Sequence, residues 1–184
     1  DILELTLNNG VDPMTREQTG IKTGMDFDSF EDFYSAFKEQ LRYCAEAEMM
    51  LINAFEENYD KIFPFPIYSA MLDACVECGK DAFQGGAKYN NTSIVAAGIA
   101  TMSDSLIAIK RMVYDEKRVS LEELRGILNN NWNNYEDLRC VCSEEYPKFG
   151  NNIDEVDFFA VDICNALAKI INGRKNGRND DYRL

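Results

Sequence analysis

The 184 residues contain no histidine. No Ser-His-Asp or Cys-His nucleophile can therefore be assembled from this chain, nor any imidazole-based metal site. The phosphate loop GxxxxGK[ST] and the dinucleotide fingerprint GxGxxG are also missing. An enzyme built on this chain either does unusual chemistry or draws its catalytic residues from elsewhere. Long apolar runs are absent too. The best candidate, Thr92 to Val113, is interrupted by Asp104, Lys110 and Arg111 and does not make a membrane span. Positive charge is scarce, with 19 basic against 32 acidic residues and a net charge of −13. That balance argues against nucleic acid, whose phosphates need a basic surface, and against anionic membranes. Its simplest consequence is solubility. The one basic cluster, Arg174, Lys175 and Arg178, lies among glycines and asparagines and reads as a flexible linker.

With 46% hydrophobic and 28% charged residues, the chain is globular and long enough for one domain with a core. Cys75-Val-Glu-Cys78 and Cys140-Val-Cys142 could supply two halves of a zinc site. The second pair is too tight for a knuckle and no Gly-rich turn accompanies it, so no metal is expected and the thiols read as reduced. The chain opens Asp-Ile-Leu-Glu, with neither an initiator Met nor a basic or apolar leader, and closes on the polar NGRKNGRNDDYRL. Both ends read as cuts in a longer, cytoplasmic chain. In that setting the sequons at Asn90 and Asn91 carry no meaning.

Helical signals dominate. Residues 2 to 8 form a short helix stopped by Asn9-Gly10, and residues 10 to 26 a long loop. Ser29 can cap a helix over about 30 to 58, whose stripe is Phe30, Phe33, Phe37, Leu41, Cys44, Leu51, Ile52, Phe55 and Tyr59. Pro64 and Pro66 break it. Ile67 to Cys75 reads as a shorter helix ended by Gly79. Ser120-Leu-Glu-Glu123 is a capping box that starts a helix to about Asn130, and Trp132 to Glu145 is predicted as another. Asp154, Glu155 and Asp157 mark the start of the last helix, which Gly173 stops. Only Ala87 to Asn90 looks extended, a single short strand whose partner is expected outside the chain. The expected fold is mainly α.

One stretch stands apart. Gly85-Gly86-Ala87-Lys88-Tyr89-Asn90 leads into Gly98-Ile99-Ala100 and Asp104-Ser105-Leu106-Ile107-Ala108-Ile109-Lys110. This order resembles the glycyl radical enzymes, the pyruvate formate-lyase-like family, and within it the dehydratase and lyase branch. Leu3-Glu4-Leu5 with Leu7-Asn8-Asn9-Gly10, Phe30-Glu31-Asp32-Phe33, Phe37-Lys38-Glu39-Gln40-Leu41, Cys78-Gly79-Lys80-Asp81, Val113-Tyr114-Asp115-Glu116-Lys117 and Lys148-Phe149-Gly150-Asn151 fit the same family, in order.

The resemblance implies an α/β fold, a ten-stranded barrel wrapped by helices, of which this chain is a largely helical fragment. Residues 1–172 would be the C-terminal part of the barrel domain and 173–184 a linker towards a glycyl radical domain. GGAKYN would be a barrel strand, with Tyr89 and Asn90 as substrate-binding candidates. Along a strand only one of the two can face the cavity fully. Asp104 and Ser105 read as helix cap and packing residues, and Glu116 and Lys117 as surface charges. The family's catalytic cysteine loop would precede Asp1 and its radical glycine loop would follow Leu184. Cys75-Val76-Glu77 lacks the preceding glycine of the former. No catalytic residue is therefore assigned here, and the fragment alone is expected to be inert. The implied function is anaerobic hydrogen-atom abstraction from a small substrate followed by loss of water or another leaving group, as in hydroxyproline or diol dehydratases. Formate C-acetyltransferase chemistry, or a non-catalytic helical interaction domain, are the alternatives. No bound cofactor is expected in this chain. The implied partners are the rest of the barrel, a second subunit in a homodimer and a radical SAM activase that installs the glycyl radical.

Overall fold

The computed structural model describes residues 1–184, which divide into two units. One comprises residues 1–43 and 97–166, the other residues 44–96 and 167–184. Helices α2 (Phe30–Ile62) and α8 (Asp154–Ile171) supply residues to both. No helix is long and apolar enough to cross a membrane.

In the first unit, α1 (Ile2–Leu7) buries Leu3, Leu5 and Leu7. The first half of α2 buries Phe33 and Phe37 completely, as the three- and four-residue spacing requires. Ser29 caps α2, its hydroxyl accepting from the Asp32 N–H at 3.1 Å. Phe30 stacks on Tyr34 at 5.9 Å and meets Phe159 of α8 edge-on at 5.7 Å. The Tyr34 hydroxyl donates to Asp162 at 2.8 Å, and Lys38 pairs with the same carboxylate at 2.6 Å. The long loop over 10–26 is pinned by the fully buried Gln40, whose amide exchanges two hydrogen bonds with the backbone of Ile21.

Helix α5 (Ile99–Ile109) begins only after Gly98, at φ +78°, and runs on as a π-helical stretch over Lys110–Asp115. Helix α6 (Leu121–Asn129) opens on the capping box as predicted, with Ser120 and Glu123 each accepting from the other's backbone N–H. The helix predicted over Trp132–Glu145 starts later, as α7 (Glu136–Cys140) followed by a π turn over Val141–Glu145. Asn131, Trp132 and Asn134 instead take positive φ. The N–H groups of Asn131 and Trp132 cap the end of α6 through Leu128 and Ile127 carbonyls.

In the second unit the helix expected over Ile67–Cys75 is broken into α3 (Pro66–Ser69) and α4 (Asp73–Cys78), with Leu72 extended between them. The break serves Ser69, whose hydroxyl bonds the Phe65 carbonyl and Asp81 and accepts from the Ala82 N–H at 2.9 Å. Gly79, at φ +65°, closes α4.

The strand expectation needs correcting twice. Ala87–Asn90 is not extended, and the strand lies two residues downstream, as β1 (Thr92–Ser93). Its partner is inside the chain: β1 pairs in parallel with β2 (Tyr182–Arg183), Thr92 against Tyr182. Residues 173–184, read from sequence as a flexible tail, are accordingly folded down. Tyr182 is fully buried, its hydroxyl bonded to Asn53 at 2.7 Å and to the Met49 carbonyl at 3.1 Å. Burial pushes that phenol up to about 12, with the charge of Glu56 adding to it.

Candidate functional site

The two glycines of GGAKYN are there for different reasons. Gly85 follows a 3-10 turn (Ala82–Gln84) in the left-handed conformation, at φ +82°. Gly86 lies against the preceding backbone, where a Cβ would overlap the carbonyl oxygens of Lys80 and Asp81. Asp81 organises this entry. One carboxylate oxygen accepts from the Phe83 N–H at 2.9 Å, the other from the Phe65 N–H at 2.8 Å and the Ser69 hydroxyl at 2.9 Å. These donors, Phe83 foremost, hold its carboxyl below the usual range.

At the other end of the segment, Asn90 is held at three of its four polar groups. Its N–H donates to Asp180 at 2.8 Å, its carbonyl accepts from the Asn176 amide at 2.6 Å, and its own amide donates to the Ala87 carbonyl at 2.6 Å. This last bond folds Ala87–Asn90 into a turn, which is why no strand forms there. The remaining group, Asn90 Oδ1, is buried without a partner. Tyr89, between the anchored residues and the glycines, is 76% exposed, with the Lys88 ammonium 5.5 Å from its ring centre.

The residues holding Asn90 belong to the folded tail, itself fastened to α2 by Glu56. One Glu56 oxygen accepts from the Thr92 hydroxyl and from Arg178 at 3.0 Å, the other from the Gly177 N–H at 3.0 Å. The Thr92 hydroxyl also accepts from the Asn176 amide at 2.9 Å. Asn176 Oδ1 in turn accepts from the N–H groups of Arg178 and Asp180, making a closed turn. Arg174 and Lys175 are ion-paired with Glu46 and Asp181. The basic cluster of the tail is thus internally neutralised.

Sequence reasoning singled out Tyr89 and Asn90 as candidates and did not foresee Glu56, Asn176, Gly177, Arg178 and Asp180 around them. An available signal was the density of Asn, Gly and Asp in N-G-R-N-D-D, which is turn chemistry as much as linker chemistry. No nucleophile with an adjacent base occurs among these groups, and what they offer is a hydrogen-bonded junction between the Gly85–Asn90 segment and the tail. All six cysteines are free thiols. Cys75 is buried and its thiol pushed up by that burial, while the Cys78 thiol points to the Cys75 and Gly86 carbonyls at 3.7 Å. In the other unit, a cleft of about 500 Å³ is lined by Leu3, Leu7, Met112, Leu124, Trp132 and the buried Arg125.

Comparison with known proteins adds the wider context. The family model described as pyruvate formate lyase-like matches residues 1–184. A trans-4-hydroxy-L-proline dehydratase of Clostridioides difficile is 40% identical over 185 residues, a match covering 100% of this chain and 23% of that protein. The crystal structure of hydroxyproline dehydratase from the same organism, with trans-4-hydroxy-L-proline bound, superposes with a TM-score of 0.91 at 40% identity, over 99% of this chain and 23% of the other. A glycerol-bound, B12-independent glycerol dehydratase from Clostridium butyricum follows at TM-score 0.88 and 34% identity, with coverage of 99% and 23%. The chain therefore spans about a quarter of the length of the relatives it matches.

Proposed function

Because the chain belongs to the pyruvate formate lyase-like family, we propose that it is one quarter of a glycyl radical dehydratase acting on a small hydroxylated substrate of the hydroxyproline or diol type. The observation that carries this reading is the 40% identity, along the whole chain, to a trans-4-hydroxy-L-proline dehydratase. The overall reaction is removal of a hydrogen atom from a substrate carbon, loss of water from the resulting radical, and return of a hydrogen atom. Such intermediates survive only where water and stray hydrogen donors are kept out.

The contribution of these 184 residues is structural and orienting. The helices form part of the barrel's outer layer. The Gly85–Asn90 segment supplies wall, with Tyr89 and Asn90 as its substrate-binding candidates. The thiol that abstracts hydrogen and the glycine that stores the radical are contributed by the rest of the barrel and by a radical domain reached through residues 173–184. By themselves the 184 residues do not turn over substrate. Activation by a radical SAM enzyme, a homodimeric assembly and an anaerobic cytoplasmic setting complete the reading.

The test is anaerobic. The full-length protein containing this sequence is incubated with a radical SAM activase and S-adenosylmethionine. It is then supplied separately with trans-4-hydroxy-L-proline, propane-1,2-diol, glycerol, or pyruvate with coenzyme A. A glycyl radical signal by electron paramagnetic resonance together with dehydration of one of the first three supports the proposal. A radical signal with formate production from pyruvate replaces it with the acetyltransferase reading. No radical and no turnover overturns it.

A further inference from the structure

The sequence holds three Asn-Gly pairs, at residues 9–10, 172–173 and 176–177. Such a pair carries its own chemistry. The glycine nitrogen can attack the asparagine side-chain carbonyl, and with no Cβ beside it nothing hinders the approach. Asn9 and Asn172 each have one side-chain hydrogen bond within the chain, accepting from the Gly24 and Leu184 N–H groups. Asn176 is held differently. It is 6% exposed, and all four hydrogen-bonding positions of its amide are filled. Its Oδ1 accepts from the N–H groups of Arg178 and Asp180 at 3.1 and 2.8 Å, and its Nδ2 donates to the Asn90 carbonyl at 2.6 Å and the Thr92 hydroxyl at 2.9 Å.

We propose that Asn176-Gly177 is a latent site of backbone modification. The folded tail keeps it as asparagine. When the tail lifts from α2 it converts to aspartate and isoaspartate, and the Gly85–Asn90 segment then loses its tie. The step needs only water as co-reactant. The Gly177 nitrogen gives up its proton and bonds to Asn176 Cγ, the Cγ–Nδ2 bond breaks, and ammonia leaves with that proton. Water then opens the resulting succinimide ring at either carbonyl, giving a side-chain carboxylate or a backbone lengthened by one carbon. Nothing is oxidised or reduced.

The geometry opposes each part of that step. Closing the ring swings Asn176 Cγ toward the Gly177 nitrogen and breaks the hydrogen bonds of the amide. The Gly177 N–H is itself held by Glu56 Oε2 at 3.0 Å. Attack builds negative charge on that nitrogen, which the neighbouring carboxylate disfavours. Glu56, 15% exposed, is fixed in turn by Arg178 at 3.0 Å and by the Thr92 hydroxyl. Asn176 is buried by this chain alone, and further protein around the turn can only add to that burial. The product does not fit the same place. An aspartate oxygen in the position of Nδ2 would face the Asn90 carbonyl, now 2.6 Å away, acceptor against acceptor. It would also bring a second carboxylate to the Thr92 hydroxyl that already donates to Glu56. Conversion is therefore one-way, because the altered turn cannot be latched again.

The experiment uses the full-length protein containing this sequence, without activation or substrate. Folded protein and protein unfolded in urea are incubated side by side in warm neutral buffer. Peptide mass spectrometry then measures asparagine, aspartate and isoaspartate at position 176, with the pairs at Asn9 and Asn172 in the unfolded sample as references for the unprotected reaction. Conversion at Asn176 is expected to be about a hundredfold slower in the folded protein, the scale of two hydrogen bonds broken together. Glu56→Gln, which keeps the shape and removes the charge, is expected to speed the folded reaction about tenfold. A slower reaction in Glu56→Gln would make Glu56 the base that takes the Gly177 proton, and would overturn the latch.

Asn176→Asp imitates one of the two products. In hydrogen exchange, the Thr92 and Ile94 amides of this variant are expected to exchange about tenfold faster than in the wild type. Unchanged exchange overturns the loss of the tie. A folded rate within about tenfold of the unfolded one overturns the protection, and that comparison needs no variant to fold. None of these outcomes depends on which reaction the full-length enzyme performs.

Discussion

The backbone N–H of Gly177 donates to Oε2 of Glu56 at 3.0 Å, and a Cβ on Gly177 would lie 2.8 Å from both the Asn53 carbonyl oxygen and the Glu56 Cβ. The tail is thus pressed onto α2 without room for a methyl group. Gly177→Ala is expected to destabilise the folded chain by about 1–3 kcal/mol through overpacking, read as a lowered midpoint in urea unfolding. An unchanged midpoint would mean that the tail lifts off α2 at negligible cost.

Two other glycines separate steric from conformational need. Gly86→Ala collides with backbone carbonyls and is expected to cost about as much as Gly177→Ala. Gly79, at φ +65°, has open space where a Cβ would be added, so Gly79→Ala should cost only the left-handed penalty of about 1 kcal/mol. Parallel unfolding curves rank the two, and a larger loss at Gly79 would contradict the packing described for Gly86.

Asp81 gives the fold an acid-sensitive point. Its carboxyl is held below the ordinary value by the Phe83 N–H first, with Ser69 and the Phe65 N–H adding to it. The stability it contributes is fully present above the unfolded value near 4 and is lost as pH falls through the lower folded value. Unfolding free energy measured from pH 6 downwards should therefore decline below about pH 4, and Asp81→Asn should flatten that decline. A variant with the wild-type slope would place the acid sensitivity elsewhere.

Ser120→Ala removes the acceptor for the Glu123 N–H at the start of α6. A loss of about 1 kcal/mol is expected, with thermal unfolding as the measure.

Apolar side chains crowd the surface near the end of α2 and along α3. Ile62 is 64% exposed, Phe63 59%, Ile67 81% and Met71 77%. The 184-residue chain on its own should bind the dye ANS strongly or self-associate at micromolar concentration. Fluorescence titration and light scattering test this, and a monodisperse, dye-silent monomer would count against a surface normally covered by more protein.

What the sequence disclosed was what local rules control. The Ser120–Glu123 box, the Phe30–Phe33–Phe37 stripe and the Gly173 stop at φ +80° are written in spacing and residue type, and each is found as read. What escaped was decided by contacts distant in the chain. Ser69 looks like an ordinary helical residue until Asp81 and Ala82 come to it. Thr92 has no strand signal beyond its own β-branch, because its partner is Tyr182. Trp132 at φ +61° could not be foreseen from a residue type that avoids that conformation. Of the candidate site, residue types singled out the GGAKYN segment, whereas the tail that holds it is polar and glycine-rich, a composition shared with disordered linkers.

The parallel pairing of Thr92 with Tyr182 also dictates an order of events in folding. Closing a loop that long costs entropy before its two-residue ladder returns anything, so this junction forms after the helices have collapsed. On a ribosome the Gly85–Ser93 segment emerges well before its anchor and waits, unpaired, until residues 173–184 appear. A two-residue ladder of this kind is also expected to open more readily than a long helix. The amides of Thr92 and Ile94, which donate across it to Asp181 and Arg183, should exchange with solvent faster than those in the middle of α2.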